Sequence, residues 1–185
     1  MAYVCDERIW ESTTIGDVEL VGEAENVDQA IALVERTSPD LILLDINMPE
    51  KDGFDLLTEL DQVPEVIFTT AYDQYAIKSL EYNALDYILK PVKAERLHQA
   101  LDKVRVKLAS KPASESEDQL LHHNSQFFVK DGDHCWLIKI GQVYLMESVG
   151  NYSRLYFDNN KPMIYKALTK IQQRLVPGLF FRANR

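Results

Sequence analysis

The sequence predicts an α/β fold built on a parallel sheet, followed by a smaller, mostly-β segment. Three observations predict it. Short β-branched and apolar runs recur through residues 1 to 108, helical spacing fills the intervals between them, and from Gln126 that spacing gives way to closely spaced strands with tight turns. A chain of 185 residues has room for one large domain or two small ones, since domains usually run to about 100 to 150 residues. At 46% apolar and 26% charged residues, its composition is that of an ordinary globular protein and excludes disorder, collagen and a disulfide scaffold. No apolar run approaches the roughly 18 to 20 residues that span a bilayer. Three charges in Asp6-Glu7-Arg8 stand where the apolar core of a signal peptide would begin, so the expected location is the cytoplasm. Cys5 and Cys135 lie far apart without a metal-ligand spacing, and His122, His123 and His134 read as polar surface residues.

Tyr3-Val4 starts the alternation, and Glu19 to Ala24 is the second strand. Asn26 with Gln29 three residues on resembles a capping box, after which Ala30, Ile31 and Val34 keep helical spacing. Leu41-Ile42-Leu43-Leu44 is continuously apolar, as a parallel strand covered on both faces should be. Val66 to Thr70 and Asp86 to Leu89 repeat that texture, and Leu97, Leu101, Val104 and Leu108 mark one face of a long last helix. Pro112 and the small, acidic stretch up to Asp118 read as a linker. Beyond it, Phe127-Phe128-Val129, a turn at Asp131-Gly132-Asp133, and Cys135 to Ile138 form a hairpin. Further strands fall around Tyr144 and Leu155, and a short helix fits Ala167 to Leu175 before Pro177-Gly178.

Open α/β sheets place ligands at the carboxyl ends of their strands. Reading those ends in order yields Asp6, Asp45, Thr70 and Lys90: two carboxylates, a hydroxyl and an ammonium. The carboxylates can hold a hard divalent cation such as Mg²⁺. A carboxylate beside such a cation can act as a nucleophile toward phosphorus, with a lysine neutralising the transferred phosphoryl group and Thr70 donating to one of its oxygens. Taken singly these are weak signals, because a strand-end Asp is more often a helix cap and Lys90-Pro91 fits an ordinary turn. Their ordered placement is what points to a site.

Leu44-Asp45-Ile46-Asn47-Met48-Pro49 with Gly53, then Thr69-Thr70-Ala71, then Asp86-Tyr87-Ile88-Leu89-Lys90-Pro91 together resemble the receiver domain of two-component response regulators. The resemblance covers nearly all of residues 1 to 108. It implies a doubly wound, flavodoxin-like sheet of five parallel strands and a phosphorelay role without enzymatic turnover. Asp45 would accept phosphate from a sensor histidine kinase, and Asp6, Asp45 and the Asn47 backbone carbonyl would hold Mg²⁺. Thr70 and Lys90 would bind the phosphoryl group, with a cis bond at Lys90-Pro91, and Tyr87 would be an aromatic switch. From the residues alone, Tyr87 fits plain core packing equally well. Two departures carry expectations. Cys5-Asp6 stands where receivers have an acidic pair, so metal affinity should be weakened unless Glu7 substitutes. Only 12 residues separate Cys5 from Val18, so the first helix should be short or irregular. A phosphatase of the haloacid dehalogenase type, which also uses a strand-end Asp, needs a second Asp at position 47; Asn47 cannot serve as its general acid.

The charge divides unevenly. Residues 1 to 111 carry −11, residues 112 to 125 carry −3, and residues 126 to 185 carry +5. A basic β-rich half is the electrostatic footprint of a phosphate-backbone binder, although by charge alone a solvated basic surface is the better reading. Tyr144 to Leu155, Ala167-Leu168 opening a helix, and Leu179 to Arg185 resemble the DNA-binding domain of LytTR-type regulators. That resemblance places Asn151, Tyr152, Ser153 and Arg154 in one DNA-contacting loop region and Arg182, Asn184 and Arg185 in another. The expected organisation is a receiver at 1–108, a linker at 109–125 and a partial LytTR-type domain at 126–185. Only 60 residues follow Ser125, whereas family members continue for some tens more. The function expected is a phosphorylated transcription regulator that dimerises through its receiver and binds DNA. The alternative is a phosphorylation-dependent interaction module that dimerises or titrates a kinase without binding DNA.

Overall fold

A computed structural model describes residues 2–4, 18–48, 50–71, 85–109, 120–132 and 134–183. Its first half is a parallel sheet of β1 (Ala2–Val4), β2 (Leu20–Glu23), β3 (Leu41–Asp45), β4 (Glu65–Thr70) and β5 (Asp86–Leu89), in the order β2-β1-β3-β4-β5. This is the five-stranded parallel sheet the sequence predicts, with β2 one residue shorter at each end than its apolar pattern suggested. The apolar run of β3 divides by parity, as side chains of a strand must. Ile42 and Leu44 join a core with α1 (Val27–Thr37) and α2 (Gly53–Glu59). Leu41 and Leu43 join another with Leu97, Ala100, Leu101 and Val104 of α3 (Ala94–Ala109). Both faces are covered, which is why the run has no polar alternation.

Asn26 caps α1 by accepting from the Gln29 amide, 3.0 Å away, while the Gln29 side chain reaches back to the Glu25 amide rather than to that of Asn26. The reciprocal box lies in α2, where the Asp52 carboxylate accepts from the Asp55 amide and the Asp55 carboxylate from the Asp52 amide. The first crossover helix, the fourth one and most of the expected linker lie outside the described residues.

The second half holds the hairpin β6 (Gln126–Asp131) and β7 (His134–Lys139), then β8 (Leu145–Val149), β9 (Tyr152–Tyr156), β10 (Met163–Ile164) and α4 (Leu168–Arg174). Val129, Trp136, Ile138, Leu155 and Phe157 form its core. Within the span expected as linker, Leu121 is buried and exchanges backbone hydrogen bonds with Arg174 and Val176, so those last linker residues pack on this half.

The two halves share a core. Phe128, Cys135 and Leu137 of the hairpin complete the cluster under α1 and α2, and the Phe128 ring stacks on Phe54 with centroids 5.8 Å apart. Polar groups line the same seam. Val63 donates its amide to the Gln126 carbonyl at 2.9 Å, and the Gln126 side chain bridges the buried Glu65 carboxylate and Lys107. Burial pushes the Cys135 thiol up to about 11, leaving it a small apolar packing group rather than a reactive one.

Candidate functional site

The site sits at the carboxyl edge of the sheet because β3, β4 and β5 run parallel and in register, bringing Asp45 opposite Thr69 and Thr70 opposite Leu89. Lys90 follows β5 directly, and its amide donates to the Thr70 carbonyl at 2.8 Å. Its ammonium lies 2.7 Å from Asp45 Oδ2. The other carboxylate oxygen accepts the Asn47 amide at 3.0 Å, and the Asn47 side-chain nitrogen lies 3.5 Å from the Thr70 hydroxyl. Thr70 is fully buried, whereas the Asp45 and Lys90 side chains retain 17% and 25% exposure. The Asp45 carboxylate is thus held between the Lys90 ammonium and the Asn47 amide, and the Asn47 side chain links it to Thr70. The Lys90-Pro91 bond is cis.

Gly53 explains why this loop turns as it does. Its amide donates to the Ile46 carbonyl at 2.9 Å, and a Cβ at this position would run into the Asp45 carbonyl oxygen. The first residue of α2 therefore rests directly against the backbone of Asp45. Tyr87 is half-buried and packs against the core beneath α1 and α2, while its carbonyl accepts from Arg96 at 2.8 Å. Asp86 beside it pairs with Arg96 and with Lys103 at 2.9 Å. Burial opposes ionisation of Asp86, but the hydrogen bonds from Arg96, Lys103 and the Tyr87 amide outweigh it and lower its pKa to about 2.

Asp6 and Glu7 lie outside the described residues. Of the donors expected for Mg²⁺, the Asp45 carboxylate and the Asn47 main chain are described; carboxylate and carbonyl oxygens are hard donors of the kind such a cation takes, and among the described residues no group of three His, Cys, Asp or Glu side chains is placed to hold an ion.

In the second half, Asn151 occupies the exposed turn between β8 and β9, after Gly150 at φ 63°. Tyr152 is exposed and meets Tyr165 edge to face, centroids 5.0 Å apart. Arg154 pairs with Glu147 at 3.4 Å, and Arg182 donates to Gln172 at 3.3 Å. Ser153 is a correction to the expected contact set: it is fully buried and its hydroxyl donates to the Lys166 carbonyl at 2.7 Å, so it supports the loop instead of facing a ligand. Asn184 and Arg185 lie outside the described residues. Tyr165 and Lys166 went unnoticed in the sequence although they flank the same hairpin; the aromatic-basic pair after β10 was the available signal.

A doubly wound parallel sheet with an Asp, a Thr and a Lys at its carboxyl edge is the arrangement of a receiver-type domain. A family model described as the response regulator receiver domain matches residues 10–102. The chain is 31% identical over 177 residues to the transcriptional regulatory protein LytR of Staphylococcus aureus, an overlap that covers 92% of this chain and 72% of that protein. It is also 31% identical over 171 residues to the sensory transduction protein LytT of Enterococcus faecalis, covering 91% and 70%. Among solved structures, the receiver domain of the response regulator AraT from Geobacillus stearothermophilus matches with 28% identity and a TM-score of 0.49, over 58% of this chain and 94% of that one. The chain belongs to the LytTR family of response regulators. Among the described residues, no helix is long and apolar enough to cross a membrane.

Proposed function

We propose that the chain is a phosphorylation-controlled regulator of transcription, with a receiver at 1–108, a linker at 109–125 and a DNA-binding half at 126–185. Asp45 accepts a phosphoryl group from the phosphohistidine of a sensor histidine kinase. The observation that carries this reading is the convergence of Asp45, Thr70 and Lys90 at one sheet edge, with the Lys90 ammonium 2.7 Å from the carboxylate. In the transfer, an Asp45 oxygen attacks phosphorus and the bond from phosphorus to the imidazole nitrogen breaks. The nitrogen leaves with the electron pair and takes up a proton. Lys90 keeps its charge beside the transferred oxygens, and the buried Thr70 hydroxyl donates to one of them, so both groups stabilise charge as it moves off the donor. Asp45, the Asn47 carbonyl and Asp6 would hold Mg²⁺, with Glu7 standing in for the acid that Cys5 replaces, and the ion would supply charge neutralisation.

Phosphorylation then shifts a pre-existing equilibrium in which Thr70 and Tyr87 move together. Two receivers pair through a face that includes β5 and α3, bringing two β-rich halves to paired half-sites on DNA. Asn151, Tyr152, Arg154 and Arg182, with Asn184 and Arg185, supply contacts to bases and phosphates. Incubation with Mg²⁺ and acetyl phosphate should add one phosphoryl mass to the chain and none to Asp45→Asn; labelling that persists in Asp45→Asn refutes the assignment. A gel shift with upstream duplexes should give binding that weakens with salt. If the phosphorylated chain binds no duplex, it acts as a protein-interaction module instead.

A further inference from the structure

Asp61, two residues past α2, holds two cations of the β-rich half at once. Lys166 Nζ lies 2.7 Å from its Oδ1, and the Arg174 guanidinium takes its Oδ2. Burial opposes the ionised form of Asp61, but the hydrogen bond and charge of Lys166, followed by those of Arg174, outweigh it and hold the carboxyl below its usual range. Lys166 adjoins the candidate DNA-contact residues. Its carbonyl accepts the buried Ser153 hydroxyl, tying it to the strand that carries Tyr152 and Arg154. The adjoining Tyr165, 77% exposed, meets the Tyr152 ring. Tyr152 and Tyr165 are in contact beside Arg154, and Lys166, next to Tyr165 in the chain, shares Asp61 with Arg174 at the edge of this group.

We infer that Asp61 is a receiver-borne competitor of the DNA backbone, occupying Lys166 and Arg174 and thereby lowering the affinity of the resting chain for any duplex. This rests on the reading that the β-rich half binds DNA. The exchange is physically cheap. The Asp61 and Lys166 side chains are 53% and 38% exposed, so a phosphate can replace the carboxylate without parting the halves, which stay joined by the Phe54–Phe128 stack. A phosphate oxygen offers the same two cations an equivalent acceptor, and the released Asp61 returns to water. The acid that competes is also placed to answer to the phosphoacceptor, because it follows the helix whose first residue, Gly53, rests on the Asp45 backbone.

The test is fluorescence anisotropy of full chains with a generic labelled duplex across a salt series. Asp61→Asn should bind about three- to tenfold more tightly than the wild type at low salt. Its plot of log affinity against log salt should steepen by about one, the signature of one more phosphate contacted. Adding Lys166→Gln to Asp61→Asn should remove the gain, and Asp61→Glu, which keeps the carboxylate, should bind as the wild type does. Equal affinity and slope for Asp61→Asn and wild type overturn the competition alone. A gain that survives Lys166→Gln also overturns it, since any lost negative charge would then suffice. No binding by either protein at any salt overturns the DNA reading and the competition together.

Discussion

Two aspartates of this chain each hold a lysine ammonium at 2.7 Å, in different surroundings. Asp45 and Lys90 lie inside the sheet edge, 17% and 25% exposed, with the buried Thr70 alongside. Asp61 and Lys166 join the two halves across the seam, 53% and 38% exposed. The contact distance is the same, yet the work the pair can do is not. Partial exclusion of water strengthens the first pair and fixes its geometry before any reactant arrives. The second pair is solvated on most sides, contributes little to stability, and can exchange partners under mild changes of salt or ligand. The proposed phosphoryl transfer suits the first pair, and the proposed competition with DNA suits the second.

The most damaging way to break that contrast is to remove the inner cation. Lys90→Ala removes the cation paired with the Asp45 carboxylate and, in the proposed transfer, the charge beside the phosphoryl group. The rate of acyl-phosphate formation, followed by intact-protein mass, should fall roughly 10²-fold. An unchanged rate would show that Lys90 contributes nothing beyond local structure. On the seam, the largest effect belongs to an apolar residue. Phe128 is 6% exposed and stacked on Phe54, so Phe128→Ala should cost about 3 to 5 kcal/mol in urea denaturation. A cost below about 1 kcal/mol would mean that the stack does not hold the hairpin to α2.

The inner site was largely legible in the sequence, and the seam was not. Asp45, Thr70 and Lys90 were readable because each ends or directly follows a strand, and a parallel sheet gathers strand ends at one edge regardless of the distance between them in sequence. The apolar run of Leu41 to Leu44 announced a doubly covered strand for a similarly local reason. Asp61 and Lys166 stand 105 residues apart, and no periodicity connects an acid after a helix to a base after a short strand. Phe128 was readable only as part of a hairpin strand, and a run of apolar residues does not say which of them is buried or against what. Ser153 shows the same gap from the other side: a serine in a turn-flanked strand looks available, and only the fold shows its hydroxyl committed to the Lys166 carbonyl.

An intermediate case sharpens the comparison. Asp86 is paired with Arg96 and Lys103 like a seam residue, yet its side chain is only 8% exposed. Its pKa is lowered from 3.8 to about 2. A carboxyl with a depressed folded-state pKa stabilises the fold above its unfolded value and loses that contribution as pH falls through the folded one. The window is therefore from about pH 4 down to about pH 2, and the contribution at neutral pH is about 2 kcal/mol. Asp86→Asn should lower stability by that order at pH 7 and by progressively less below pH 4. A cost that stays constant down to pH 2 would indicate lost packing rather than a lost charge.

The smallest effect is the one that separates the two lysine pairs most directly. Asp61→Asn should lower stability at low salt by less than about 1 kcal/mol, because its pairs are exposed and long side chains must be ordered to make them. Its carboxyl is held below the ordinary range by Lys166 and Arg174 against the cost of burial. The contribution is therefore present at neutral pH and fades as pH falls through the depressed value. Salt should remove it without any change of pH: near 1 M the Debye length is about 3 Å, and the difference between Asp61→Asn and wild type should vanish in denaturant titrations. The Lys90→Ala defect in phosphorylation should persist in the same salt, since the inner pair is shielded from mobile ions by the sheet edge. If the Asp61→Asn deficit kept its full size at 1 M salt, the seam pair would be shielded like the inner one, and a DNA phosphate could not displace Asp61 without first separating the halves.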